Sequence, residues 1–179
     1  MKTILTTLLL TASTLIGANS EARKALRLPL VPSQKASVIT GEQKIIALTI
    51  LAEARGEGEA GMYAVACVIQ QRMLRTKRNG ISICTQLKQF SCWNSGKNLN
   101  HLMKGKKEIV VYALKLAKHM TVRPLKELDR KYVNFADHYC TLKTNPYWSY
   151  KTVVKDGKKI KVPIKPVKVI GNHKFFKLN

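Results

Sequence analysis

Apolar residues change their spacing along this chain, and each change marks a different kind of element. From Lys44 the run KIIALTILAEA is apolar on nearly every side of a helical wheel, which predicts a helix buried all round and not one with a single wet face. TGEQ, starting at Thr40, precedes it in the form of a capping box: the threonine hydroxyl accepts from the amide three residues on while Gln43 reaches back. Gly56 and Gly58 are expected to stop this helix, because glycine takes the backbone conformations that end helices. A second helix is predicted in GMYAVACVIQQRML, where Met62, Val65, Ala66, Ile69 and Met73 recur at helical spacing and Arg72 and Arg75 are expected to face solvent. A third, EIVVYALKLAKHM, carries Ile109, Tyr112, Ala113, Leu116 and Met120 on one stripe, with Pro124 beyond it as a stop.

Past Pro124 the pattern is that of strands. VNFADHYC and VKVIGNHKFF each read as one strand, and TVVKDGKKIKV sets two β-branched runs about an Asp-Gly turn, a hairpin signal. Residues 76 to 104, between the second and third helices, have loop character and hold the compact string QFSCWN. Helices followed by strands predict an α+β fold, a helical lobe and a small β lobe with a cleft between them.

The first residues differ from all of this. MKTILTTLLLTASTLIGANS has a basic start at Lys2, an uncharged apolar run, and Ala18 and Ser20 at the small-residue spacing of a cleavage site, so residues 1–20 read as a secretory signal peptide. Residues 21–40, with two prolines and no sustained period, read as a linker or N-terminal arm. Residues 41–179 then form one domain, long enough to bury a sizeable core and expected to be a monomer.

Charge narrows the set of partners. The chain has 32 Lys and Arg against 10 Asp and Glu, a formal net charge of +22. Such a balance attracts anionic cell-wall polymers or a membrane surface. The basic residues form neither a recognition helix nor an RNA-binding signature, so no specific nucleic-acid partner is expected. Four cysteines, Cys67, Cys84, Cys92 and Cys140, fit no zinc spacing. Cys67 is expected unpaired in its helix, and Cys84 with Cys92 is the favoured pair should a single bridge form.

Three of the ten acids, Glu53, Glu57 and Glu59, crowd into LAEARGEGEAG. Glu53 ends the apolar helix, where poor solvation and the negative helix terminus would both favour a carboxyl that keeps its proton, as a general acid requires. The alternative is an ion pair with Arg55 or another basic residue. Glu59 is expected in the first turn of the next helix, where its charge suits the dipole, and Glu57 as a support for Glu53 or for the glycine-rich turn.

The strings ILAEARGEGEAGMYAVACVIQQR, ICTQLKQFSCW, ADHYCTLKTNPYW and IGNHKFF stand in the order of the motifs of the SleB/CwlJ cell-wall hydrolase family, which residues 42 to 179 resemble. The resemblance implies a lysozyme-like domain, related in fold to lytic transglycosylases, that cuts the glycan strand of peptidoglycan without a cofactor. It puts the family's catalytic acid on Glu53. Phe90, Ser91, Trp93, His138, Tyr139, Trp148 and His173 fall in its motifs and are candidates to line the substrate site. Each aromatic could equally be a core residue, and each histidine a buried one satisfied locally. His101 and His119 are expected to have no functional role. The lysine-rich stretch 151–163 resembles an insertion between two of the motifs. Two other readings stay open at this stage: a zinc-dependent amidase, which HxxxH spacing would have supported and the scattered histidines do not, and a non-catalytic cationic wall-binding protein.

Overall fold

The computed structural model describes residues 38–94, 96–122 and 128–179. The expected signal peptide, most of the expected arm, and Pro124 lie outside them. Helix α1 (Gly41–Ala54) opens on the capping box: Gln43 N donates to Thr40 Oγ1 and Thr40 N to Gln43 Oε1, both at 3.2 Å. Its residues Ile46 to Leu51 and Ala54 are all buried. Thr49, the polar residue in that run, returns its hydroxyl to the Ile45 carbonyl at 2.8 Å.

α1 gives way to a 3-10 turn at Arg55–Glu57, and α2 (Gly58–Thr76) begins at Gly58, whose φ of 67° and ψ of −169° lie in a region essentially reserved for glycine. α2 is buried from Gly61 to Gln70. The stretch expected to be loop contains a short helix, α3 (Gly80–Cys84), capped by Asn79, and 3-10 turns at Ser91–Trp93 and Asn100–Lys104. α3 sits close on α1: a Cβ at Gly80 would lie 2.4 Å from Ile46 Cδ1, and Gly80 N donates to Glu42 Oε1 at 2.6 Å. Helix α4 (Lys107–Thr121) buries the expected stripe from Tyr112 to Met120 and ends where Thr121 Oγ1 accepts from Gln43 Nε2 at 3.1 Å. His119 is inside this helix face and not on the surface.

The β part is α+β in the expected sense but divided differently. Of VNFADHYC, the strand is β1 (His138–Thr141); Arg130–Val133 form a 3-10 turn, and Asn134 and Phe135 have φ of 51° and 57°. VKVIGNHKFF is two strands and not one: β4 (Lys168–Ile170) and β5 (His173–Phe176) turn on Gly171 and Asn172, where Gly171 takes φ of 55°. They join in the order β1-β5-β4, all antiparallel. The Asp-Gly hairpin forms separately from β2 (Tyr150–Lys155) and β3 (Lys158–Pro163), with φ of 51° at Asp156 and 71° at Gly157. These paired positive φ values give the primed turn that matches strand twist.

Helices and three-stranded sheet meet through α2. Arg72, expected to face solvent, is 7 % exposed and donates from Nε to the Asp137 carbonyl at 2.7 Å, with its guanidinium 5.1 Å from the centre of the Phe90 ring. A polar position at helical spacing becomes buried here because a residue 65 positions away, just before the strand that starts at His138, supplies its partner. Among the described residues no helix is long and apolar enough to cross a membrane.

Candidate active site

Glu53 lies one residue before the end of α1, pointing to where the helices meet the sheet. It is half-buried, not enclosed as the apolar character of the helix suggested. Its Oε1 accepts from Ser91 Oγ and from the Cys92 amide, each at 3.3 Å, and its Oε2 accepts from Tyr139 Oη at 3.0 Å. The donors come from a 3-10 turn on the helical side and from β1, so the carboxylate bridges the two parts of the fold. All are neutral, and no salt bridge to Glu53 is present among the described residues.

Burial, followed by the charge of Glu53 and its hydrogen bond, pushes the Tyr139 hydroxyl well above its ordinary value. It therefore stays protonated and remains a donor. The Cys92 thiol is raised in the same way, by burial first and Glu53 next. Trp93 turns from the same loop into the helices and donates from Nε1 to Thr49 Oγ1 at 2.9 Å, one turn before Glu53 on α1. Phe90 is fully buried, 6.4 Å from the Tyr139 ring centre. It is a wall beneath the site and not a surface for a sugar.

Glu57 holds the other side of the junction. Its Oε2 accepts from the Asn172 amide at 2.7 Å, in the β4–β5 turn. A Cβ on Gly171 would come within 2.1 Å of that oxygen, and one on Gly61 within 2.2 Å of Glu57 Cβ. The two glycines are what allow the carboxylate to reach the turn. Glu59, exposed in the first turn of α2, makes no such contact.

Alternation along β1 separates the remaining candidates, because successive side chains leave opposite faces of a sheet. Tyr139, with its register partner Phe175 and with His173, faces Glu53; the Tyr139 ring meets His173 edge-on at 5.3 Å. His173 is buried, and its Nδ1 has no hydrogen-bond partner among the described residues. His138 leaves the opposite face with its partner Phe176, where Trp148 packs 5.0 Å from the His138 ring and 5.4 Å from Phe176. The structure therefore brings Ser91, Tyr139 and His173 to the side of Glu53 and puts His138 and Trp148 behind the sheet.

A second carboxylate, absent from the expected candidates, stands just before β1. Asp137 is fully buried and accepts from Arg75 at 2.6 Å, His138 Nδ1 at 2.9 Å, the Leu178 amide at 3.0 Å and Asn179 Nδ2 at 3.1 Å. Burial alone would raise its carboxyl, but hydrogen bonds from His138, Leu178 and Asn179 outweigh it and hold the group well below the usual carboxylate range. A rare acid inside the apolar run NFADHYC was the signal that could have found it. Arg75 is exposed, as expected, and its guanidinium still reaches this acid.

All four cysteines are free, so the favoured Cys84–Cys92 bridge is absent. Cys67 is buried in α2, and its thiol reaches the Asp129 carbonyl at 3.6 Å. Burial pushes Cys84 up to about 12. Among the described residues, no three of His, Cys, Asp and Glu come together in a way that could hold a metal ion.

The model of the Cell Wall Hydrolase family matches residues 56–176, and the chain belongs to that family. Membership makes it a hydrolase acting on the cell wall and implies a peptidoglycan substrate. The match begins at Gly56, three residues after Glu53, and takes in Glu57, the QFSCW loop, β1 and the β4–β5 turn. No curated protein and no solved structure matches the chain significantly.

Proposed function

We propose that the protein cleaves the glycan strand of peptidoglycan between N-acetylmuramic acid and N-acetylglucosamine as a lytic transglycosylase, with Glu53 as its one catalytic carboxyl. The observation that carries this reading is the contrast in partners: Glu53 is held by neutral donors at a half-buried seam, whereas Glu57 and Asp137 are committed. Glu57 is bound to the Asn172 amide, and Asp137 is saturated with donors, the Arg75 cation among them. Ordinary glycosidases place two carboxylates about 5–9.5 Å apart across the scissile bond, and among the described residues no second acid shares the donors that hold Glu53.

In the proposed step, protonated Glu53 gives its proton to the glycosidic oxygen as the bond to muramoyl C1 breaks. The resulting carboxylate then accepts the proton of the muramoyl C6 hydroxyl as that oxygen attacks C1, which closes an anhydro ring and restores the acid. Tyr139, Ser91 and the Cys92 amide fix the carboxylate and stabilise it between the two proton transfers. The reading includes a lysozyme-like domain, supported by the helical part followed by a small antiparallel sheet, and export, supported by the leader-like pattern of residues 1–20.

Mass spectra of digested peptidoglycan test the proposal. Anhydro-muramic ends, absent when Glu53→Gln is used, are the expected result. Reducing ends would make the enzyme a hydrolase, and a released stem peptide would make it an amidase.

A further inference from the structure

The β2–β3 hairpin is built unlike the rest of the domain. Among the described residues it pairs with no other strand, and every residue from Tyr150 to Pro163 is exposed except the half-buried Val153 and Val162. Two-stranded hairpins in water are marginal on their own, and this one carries an added cost. Its 14 residues include Lys151, Lys155, Lys158, Lys159 and Lys161 against a single acid, Asp156, in the turn. Lys155 stands directly opposite Lys158, a like-charge cross-strand pair that destabilises a sheet. Among the described residues no carboxylate forms a salt bridge with any of the five.

Register also decides what kind of partner would relieve that cost. Residues directly opposite share a face. Lys159 and Lys161 lie on one face with Val154 and Thr152, while Lys151, Lys155 and Lys158 lie on the other with Val153, Ile160 and Val162. A hairpin that lies in a membrane interface needs one apolar and one cationic face. Here the cations occupy both faces and crowd towards the tip, an arrangement suited to a flexible chain of anions that can pass around it.

We propose that the β2–β3 hairpin is a docking arm for a linear polyanion of repeating phosphodiesters, the chemistry of anionic wall polymers, and that it holds the enzyme to its substrate independently of Glu53. The arm extends the wall-cleaving reading by naming the element that anchors it. Binding is read without turnover, so loss of the arm and loss of the catalytic assignment are separate results.

The test measures full-chain binding to poly(glycerol phosphate) across a salt series. The variants are a Lys155→Gln, Lys158→Gln, Lys159→Gln triple and a charge-matched triple on the exposed helical surface, Lys106→Gln, Lys107→Gln, Lys115→Gln. Because each released counterion adds to the salt slope, the hairpin triple should weaken binding by about tenfold or more at low salt and lower the slope by about two to three. The helical triple should move either quantity far less. Cleavage of short soluble glycans should be unchanged in both, and the thermal midpoint should fall in neither. Equal losses in the two triples would overturn the proposal in favour of net charge alone. Hairpin-dependent binding that is tighter to phosphatidylglycerol vesicles than to the polymer would overturn it in favour of a membrane.

Discussion

Two carboxylates beside one small sheet are held by different kinds of donor. Asp137 is fully buried, paired with the cation of Arg75, and takes further hydrogen bonds from His138 and from the backbone and side chain of the last two residues. Glu53 is half-buried, has no cation, and accepts only from a tyrosine, a serine and an amide at 3.0 to 3.3 Å. Asp137 is fixed as an anion and joins α2, β1 and the C-terminal residues. Glu53 is oriented without being matched to a charge, as the proposed transfer of a proton out and back requires.

The comparison is broken most directly at Glu53. Glu53→Gln keeps the shape and the acceptor oxygen but cannot donate the proton, so activity should fall by the ~10² to 10⁴-fold that general acid catalysis contributes, with the thermal midpoint unchanged. Wild-type turnover of insoluble peptidoglycan by that variant would remove Glu53 from the chemistry. Asp137→Asn should do the reverse. Removing one member of a buried ion pair costs about 3–5 kcal/mol, and the low end applies because Arg75 is partly exposed. Chemical denaturation should show this loss, and whatever folds should still cut.

Acid separates the two acids further. The Asp137 carboxyl lies below its unfolded value of about 3.9, so its stabilisation is complete above that value and is lost as pH falls through it towards the folded value. Wild type and Glu53→Gln should share this acid-side decline. Asp137→Asn should be flatter over the same range, and an identical slope would mean that another group is responsible.

Smaller effects sharpen the picture. Tyr139→Phe removes one donor from Glu53; at about 1.4 kcal/mol, near the upper end for a neutral hydrogen bond, it should lower kcat about tenfold with KM little changed. Trp148→Ala, behind the sheet, should lower stability and leave kcat as it is; a kcat effect as large as that of Tyr139→Phe would show that both faces serve the substrate. Cys67→Ala should have the least influence, a modest loss of stability with cutting intact.

What could be read from the sequence was local. The capping box at Thr40, the all-round burial of α1 and the Asp156-Gly157 turn depend on residues within a few positions of each other. The position of Glu53 followed from a helix ending at glycines. Arg72 was read as solvent-facing because helical spacing says nothing about a backbone carbonyl 65 positions away that buries a guanidinium. VKVIGNHKFF was read as one strand because its turn is only two residues long and its flanks are alike in composition. The same alternation that predicts a strand also implies that His138 and Tyr139 part company, but neighbouring motif residues invite being grouped together.

The Glu53–Tyr139 hydrogen bond closes a loop of 86 residues and the Glu57–Asn172 bond one of 115. Contacts so distant along the chain carry a larger closure entropy, and folds that depend on them form more slowly. A growing or partly folded polypeptide can thus contain α1, with Glu53 already on it, before β1 and the β4–β5 turn arrive to orient it. Competence to cut would appear only when nearly the whole domain has been made and folded, which delays a wall-degrading activity until the end of the protein's own assembly.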